Sequence, residues 1–452
     1  MEERHRALLV KQNPWWSDKK VKLPDFERDL INTLVRYVEY KQILAVIGLR
    51  RVGKTVLMKQ LMQKLTTPKN NLCYISLDDI DFQNYNIVEE LINYFLEFSD
   101  KNGMRYLFLD EVQKLPNWAD LLKTYYDTED NLKIFVTGSA SLELSEFKET
   151  LAGRILTFHM PVLKFREFAR YFMPDDTLKN ISISSLSSIF GSSLSKDSFI
   201  REYDIEFAGK KERYNELFKS YLLKGAFPEL LDIEDEEFIK KYIKESVIEK
   251  TIVDIARLAG EDEKIIYELF RLLANSNAQL FEITNLSGIL KINRNLVSKY
   301  VNLLEKSFLI NVAYNFTSSV ARQVRASKKQ YSAHSSIVIA MLDHPFDILN
   351  TEVAGHMVEA AISGDFEKTS FWRTPQKDEV DIILKEKGIV LPIEVKYQQN
   401  ITNSDAASVL KFCKKFGVRN GLMVTKELMD MRKIGDVEML FIPAWLFLLI
   451  NP

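Results

Sequence analysis

The eight residues Gly48-Leu49-Arg50-Arg51-Val52-Gly53-Lys54-Thr55 fit the GxxxxGK[ST] spacing of a phosphate-binding loop, between an apolar run and a stretch of helical rhythm, VLMKQLMQKL. The spacing has a physical reason. The glycines let backbone N–H groups turn inward around phosphate oxygens, and a helix opening just after the loop adds its positive end. Lys54 reaches the β- and γ-phosphates of ATP and the Thr55 hydroxyl ligates Mg²⁺, with Gly48, Arg50, Arg51, Val52, Gly53 and Val56 completing the nucleotide contacts. Downstream, Tyr106-Leu107-Phe108-Leu109-Asp110-Glu111 is an apolar run ending in two acids. Asp110 is the expected holder of Mg²⁺ through water, and Glu111 the expected general base or water-positioner for attack on the γ-phosphate. Together the two segments predict ATP hydrolysis.

Two further positions fit that chemistry less specifically. KIFVTGSASLEL ends an apolar run with Thr137 and Ser139, hydroxyls placed either to sense the γ-phosphate or to cap the helix that follows. Arg154, in LAGRILTF, is either an arginine finger for an ATP in this chain or a neighbouring one, hence a possible homo-oligomer, or a surface arginine after a helix-ending glycine.

A second group of residues suits nucleic acid. From Ile283 to Ser335 there are eight basic residues (Lys291, Arg294, Lys299, Lys306, Arg322, Arg325, Lys328, Lys329) against one acid, Glu305. FEITNLSGILKINRNLVSKYVNLLEKSFLI has the rhythm of helix, tight turn and helix, followed by apolar runs able to form a β-wing. A second helix beginning near Asn293 exposes Arg294, Asn295, Ser298 and Lys299, residue types that suit base edges and phosphates. DNA is the expected partner; docking of protein is the alternative. A third group is acidic: Glu359 on a helix-like stretch, Asp381 at the start of a strand, and Glu394-Val395-Lys396 ending another. The 12 residues between Asp381 and Glu394 are enough for a hairpin that brings both carboxylates together.

The chain that must position these groups has 452 residues, too many for one ordinary core. Hydrophobic residues make up 46% and charged residues 27%, the balance of a folded protein rather than a disordered one, and the net charge of -2 excludes any global attraction to polyanions. Short apolar runs at Leu72–Leu77, Tyr106–Leu109, Leu132–Val136 and Ile155–Met160 alternate with helical stretches, which predicts a parallel sheet covered by helices. The expected divisions are 1–175 for an ATPase core, 176–275 for a Ser-rich insertion and helical lid, 276–338 for a winged helix, and 339–452 for a separate α/β domain. Cys73 and Cys413 lie in apolar segments and cannot build a disulfide framework, which fits a reducing, cytoplasmic compartment. The apolar run Ile442–Ile450 is about half a membrane span, so it reads as a buried element and no membrane partner is expected.

GLRRVGKT, LFLDEVQKLPNW, VTGSASL, LAGR, LKGAFPE, FWRTPQKDEVDIIL and IEVK together resemble the AAA-type P-loop ATPases of archaea and bacteria that carry a winged-helix segment and a C-terminal domain related to PD-(D/E)XK nucleases. The resemblance implies an additional-strand ATPase core, hence Glu111 as the catalytic acid. It also implies that Glu359, Asp381 and Glu394 bind Mg²⁺ or Mn²⁺ and that Lys396 positions or activates the attacking water. The alternative is a domain that has lost cleavage, with Asp381 and Lys396 joined in a salt bridge and its fold kept for binding, in a protein that acts as a nucleotide-dependent switch or scaffold.

Overall fold

A computed structural model of the chain describes residues 2–138, 149–174, 196–317, 327–351, 353–386 and 389–450. Ser139, Arg322 and Arg325 lie outside the described residues. The chain divides into two units: residues 1–162 with 253–261 and 306–308, and residues 163–252 with 262–305 and 309–452.

In the first unit five short apolar runs become β1 (Ile43–Ile47), β2 (Leu72–Ser76), β3 (Arg105–Asp110), β4 (Leu132–Gly138) and β5 (Ile155–His159), in the spatial order β2-β3-β4-β1-β5. Every pairing is parallel. Most of these strands are buried almost throughout, which explains why they read as continuous apolar runs rather than alternating ones. β4 lies between β1 and β3, the additional strand that the resemblance implied. Helices α1 (Lys54–Lys64), α2 (Tyr85–Phe98) and α3 (Trp118–Thr128) cover the sheet. α2 shows how the sequence enforces this: the Asn84 side chain caps the N–H groups of Asn86 and Ile87, and Val88, Leu91, Ile92 and Phe95 recur at helical spacing on the buried face. Helix α4 (Lys250–Ala259) runs into this unit from residue 253.

In the second unit, helix Phe165–Phe172 falls within the stretch expected to belong to the ATPase core, and helices Lys196–Glu206, Lys211–Lys224, Glu236–Tyr242 and α5 (Glu263–Asn275) fall in the region expected to be helical. Gly225 caps the end of one of them, at a position where a Cβ would stand 2.3 Å from the Tyr221 ring. A short strand β6 (Gln279–Phe281), helices α6 (Ile283–Leu290) and α7 (Arg294–Lys306), and strands β7 (Ile310–Asn315) and β8 (Lys328–Ser332) follow. Lys291 makes the turn between the helices in the left-handed region, at φ 56°. α7 begins where Asn293 caps the N–H of Leu296, and buries Val297, Tyr300, Val301 and Leu304.

The remaining strands, β9 (Ser370–Arg373), β10 (Glu379–Glu386), β11 (Ile389–Lys396), β12 (Asn420–Thr425), β13 (Asp430–Ile434) and β14 (Val437–Pro443), join β6–β8 in one sheet of order β13-β14-β12-β11-β10-β9-β7-β8-β6. Helix α8 (Val353–Gly364) and helix Ala407–Phe416 pack on this sheet, and Ala444–Ile450 is a wholly buried helix, as its composition suggested. The boundary placed at 338/339 from the sequence therefore falls inside a continuous sheet. Parallel pairing of Tyr314 with Ser370 and Asn315 with Phe371 makes the join, and the Asn315 side chain extends it by donating to the Arg373 carbonyl and accepting from the Arg373 N–H. Among the described residues no helix is long and apolar enough to cross a membrane.

Candidate active site

The loop between β1 and α1, the acids ending β3 and the last residues of β4 all meet at the carboxyl edge of the first sheet, where parallel α/β sheets place their ligands. Gly48 is required there by close approach: a Cβ would lie 2.2 Å from the Met160 carbonyl oxygen, where Met160 N–H donates to the Ile47 carbonyl. Arg51 and Gly53 take positive φ (67° and 97°), turning the loop into the start of α1. Val52 is buried, and its carbonyl accepts from Arg28, a buried arginine that also donates to Pro161 and clamps the back of the loop. Val56 follows in the first turn of α1, half-buried.

Lys54 is buried and donates to the carbonyls of Gly48 (3.0 Å) and Leu49 (2.9 Å), folded over the loop it serves. Burial lowers its pKa, and the nearby Glu111 and Asp110 carboxylates oppose that shift. Thr55 Oγ1 donates to Asp110 Oδ2 at 2.6 Å, so the two residues expected to hold Mg²⁺ already touch. Tyr74 on β2 donates to the same oxygen at 2.6 Å, and Thr137 donates to Asp110 Oδ1. Burial beside Asp110 drives the Tyr74 phenol far up, so it stays a donor. Thr137 also accepts the Glu111 N–H at 3.0 Å. Glu111 sits at φ 56°, a left-handed conformation uncommon for a side-chain-bearing residue, and its carboxylate accepts from Gln113. Thr137 is thus a holder of both acids.

Arg50 points elsewhere: its guanidinium binds Asp254 on α4, with Nε donating at 2.7 Å. The expectation for Arg154 needs correcting for its own chain. Its carbonyl accepts from Ile43 at the beginning of β1, at the edge of the sheet opposite the loop, roughly 16 Å away along five residues of strand. Its side chain pairs with Asp127 at 2.8 and 3.1 Å. It cannot reach the nucleotide edge of this sheet.

On α7, Arg294, Asn295, Ser298 and Lys299 are exposed, opposite the buried face. Asn295, Ser298 and Lys299 line one wall of a groove of about 490 Å³ whose other wall includes Val312, Tyr314 and Lys328 of the β7–β8 hairpin. Lys329, counted with the basic group from sequence, is not available to it, being only 3% exposed.

The C-terminal acids do converge. β10 and β11 form the expected antiparallel hairpin, and Val395 N–H donates to Asp381 Oδ2 at 2.9 Å. The expected metal site is nonetheless not what stands there. Among the described residues no group of three or more His, Cys, Asp or Glu is set to hold a metal ion. Lys329 Nζ lies 2.6 Å from Glu359, 2.9 Å from Glu379 and 3.5 Å from Asp381, while Tyr331 donates to Glu359 at 2.9 Å. Lys396 pairs with Glu394 at 2.6 Å, not with Asp381. Burial, reinforced by Asp381, pushes Glu359 up to about 7 and Glu394 up to about 8. Burial alone would lower Lys329; Glu359 and its neighbours override it and hold the ammonium charged.

Residues assigned no part in either cluster from sequence therefore complete both: Tyr74, Arg28 and Gln113 in the first, Lys329, Tyr331 and Glu379 in the second. Only Glu379 left a local trace, as the second acid of the Lys-Asp-Glu-Val-Asp run.

Residues 40–169 match the family model described as an AAA domain, and residues 215–347 and 347–447 match two domains of unknown function, DUF8612 and DUF4143. The chain is similar to the uncharacterized protein MJ1637 of Methanocaldococcus jannaschii, with 29% identity over 315 residues, which are 67% of this chain and 64% of that protein. A second uncharacterized protein of the same organism, MJ1544, is 25% identical over 390 residues, 80% of this chain and 76% of that one. Among solved structures, C. elegans PCH-2 is similar at 16% identity and a TM-score of 0.30, covering 46% of this chain and 61% of that one. The family match and the site together identify the first unit's sheet and loop as an AAA-type P-loop domain.

Proposed function

We propose that the protein hydrolyses ATP at the loop and acids of its first unit and couples that cycle to DNA held by a winged helix in its second. The observation that carries the first part is the Thr55–Asp110–Thr137–Glu111 chain of hydrogen bonds beside Lys54. Thr55 and Asp110 would hold Mg²⁺, which supplies positive charge against the phosphates when bound. The loop N–H groups bind the phosphates, Lys54 leaves its carbonyl partners for the β- and γ-oxygens, and Glu111 orients or deprotonates the attacking water. Arg154, turned away from its own loop, is left for a neighbouring copy.

The DNA reading is supported by the helix-turn-helix with a hairpin beside it and by the exposed Arg294, Asn295, Ser298 and Lys299 on the second helix. Metal-dependent cleavage is the weaker reading, because lysines already neutralise the acids it needs. Single-turnover ATP hydrolysis, with and without duplex DNA, is the test. Wild type turns over and is stimulated by DNA, Lys54→Ala loses nucleotide binding, and Glu111→Gln binds ATP without hydrolysing it. Equal hydrolysis by wild type and Glu111→Gln removes Glu111 from the chemistry, and indifference to DNA leaves a nucleotide-dependent protein scaffold.

A further inference from the structure

The acids of the second unit are arranged as if around a cation. Glu359 from α8, Glu379 and Asp381 from β10, and Glu394 from β11 are partly or wholly buried in one cluster. Carboxylates confined in this way repel one another unless positive charge or protons intervene. The charge comes from the chain. Lys329 on β8 sends its ammonium to three of the four, and Lys396 serves the fourth.

The partners of Glu359 Oε1 and of the Asp381 and Glu394 carboxylates decide what this does to metal binding. Glu359 Oε1 accepts from Lys329 and Tyr331, Asp381 Oδ1 faces Lys329, Asp381 Oδ2 accepts from the Val395 N–H, and Glu394 Oε1 accepts from Lys396. Glu394 Oε2 alone among these is buried without a hydrogen-bond partner. A divalent cation takes several oxygen ligands, usually six or more, and one orphaned oxygen does not make a site. The residues present thus do not fit a metal while Lys329 is in place.

We propose that the Lys329 ammonium is a tethered replacement for a divalent cation, and that it keeps this cluster metal-free. Removing it leaves Glu359 Oε1 bonded to Tyr331 alone and frees Asp381 Oδ1, in the cluster that also holds the orphaned Glu394 Oε2: three oxygens from three elements. Loss of the one charge therefore converts a closed ion cluster into a cation site. The inference stands independently of ATP hydrolysis, whose residues lie in the other unit.

The test is Mn²⁺ binding to the full chain without nucleotide, followed by electron paramagnetic resonance of free Mn²⁺, and thermal melting with and without the ion. Wild type and Glu359→Gln should bind equal Mn²⁺, since neither has a site here. Lys329→Met, similar in shape and uncharged, should bind one more Mn²⁺ per chain than wild type, and Lys329→Met/Asp381→Asn should lose it. At an ion concentration 100 times the dissociation constant, the folding equilibrium of Lys329→Met should shift about a hundredfold towards the native state, with no such shift in wild type. A wild-type ion that disappears in Glu359→Gln overturns the proposal, as does folded Lys329→Met that gains none. Should Lys329→Met fail to fold without metal, the comparison of wild type with Glu359→Gln decides alone.

Discussion

Replacing Thr137 by valine keeps the shape of a fully buried side chain and deletes one hydroxyl. That hydroxyl makes two bonds: it donates to the Asp110 carboxylate and accepts the Glu111 N–H at 3.0 Å. A hydrogen bond to a charged group contributes about 1.5–3 kcal/mol, and a donor left unsatisfied costs about 1–3 kcal/mol. Glu111 also occupies a left-handed conformation at φ 56°, which costs a side-chain-bearing residue roughly 1–2 kcal/mol and which the Thr137 bond helps to hold. Without it Glu111 relaxes away from the γ-phosphate position, whereas the loop and Lys54 are untouched. A misplacement worth about 1.4–2.8 kcal/mol in the transition state lowers turnover roughly 10–100-fold. Steady-state hydrolysis should fall by that factor in Thr137→Val, with ATP affinity, read by a fluorescent nucleotide, within about threefold of wild type. Thr137→Ser, which restores the hydroxyl, should recover most of the rate. Wild-type turnover by Thr137→Val refutes the reasoning, and so does a loss of ATP binding as large as the loss of hydrolysis, because the residue would then be serving the phosphates directly.

Gly48→Ala should destabilise the first unit and abolish ATP binding, since its Cβ would collide with the Met160 carbonyl at 2.2 Å; a normal melting temperature would contradict that. Arg294→Ala/Lys299→Ala should reduce the log-log salt slope of duplex DNA binding by roughly 1.8, about 0.9 for each phosphate that is no longer neutralised. Unchanged slope and affinity would move DNA off α7. His334 supplies an acid-sensitive element in the second unit: its Nδ1 accepts the Ser336 N–H, and burial depresses its pKa to about 3. The unfolded chain takes up a proton near pH 6.5 while the folded ring stays neutral, so stability should fall as pH drops from about 6.5 towards 3, by up to about 1.4 kcal/mol per unit. Denaturant unfolding of His334→Asn, which keeps a capping acceptor, should show a flatter acid limb; parallel profiles would refute the assignment.

What the sequence made legible was whatever depends on neighbours along the chain. β2, β3 and β4 appear as apolar runs because both faces of a covered parallel sheet are buried, and the loop pattern sits in the strand-to-helix context that gives it meaning. The turn at Lys291 and the two-sided character of α7 are local as well. The helix Leu30–Tyr37 is less sharply legible, because apolar spacing alone does not locate its start. The partners of buried charges were illegible for a different reason. Tyr74 reaches Asp110 only because β2 lies beside β3 in a register pairing Ser76 with Asp110. Lys329 looked like one more cation beside Lys328, yet successive residues of a strand face opposite ways: Lys328 lies over the Tyr314 ring while Lys329 enters the acid cluster. A charge count cannot see that alternation.

The continuity of the nine-stranded sheet limits how this chain can be cut. Ending it after Val338 would seem to remove only a C-terminal domain, but β9 would go with it, leaving the unpaired N–H and C=O groups of β7 as an exposed sheet margin. Such a margin is a template for pairing with other chains. The same cut would take away every carboxylate that surrounds the buried Lys329, stranding an ammonium inside what remained. The helix-turn-helix and the acid-bearing hairpin therefore behave as one inheritable piece: a truncation meant to isolate DNA binding should aggregate, and a graft that moves α7 to another protein must carry β9 and α8 with it.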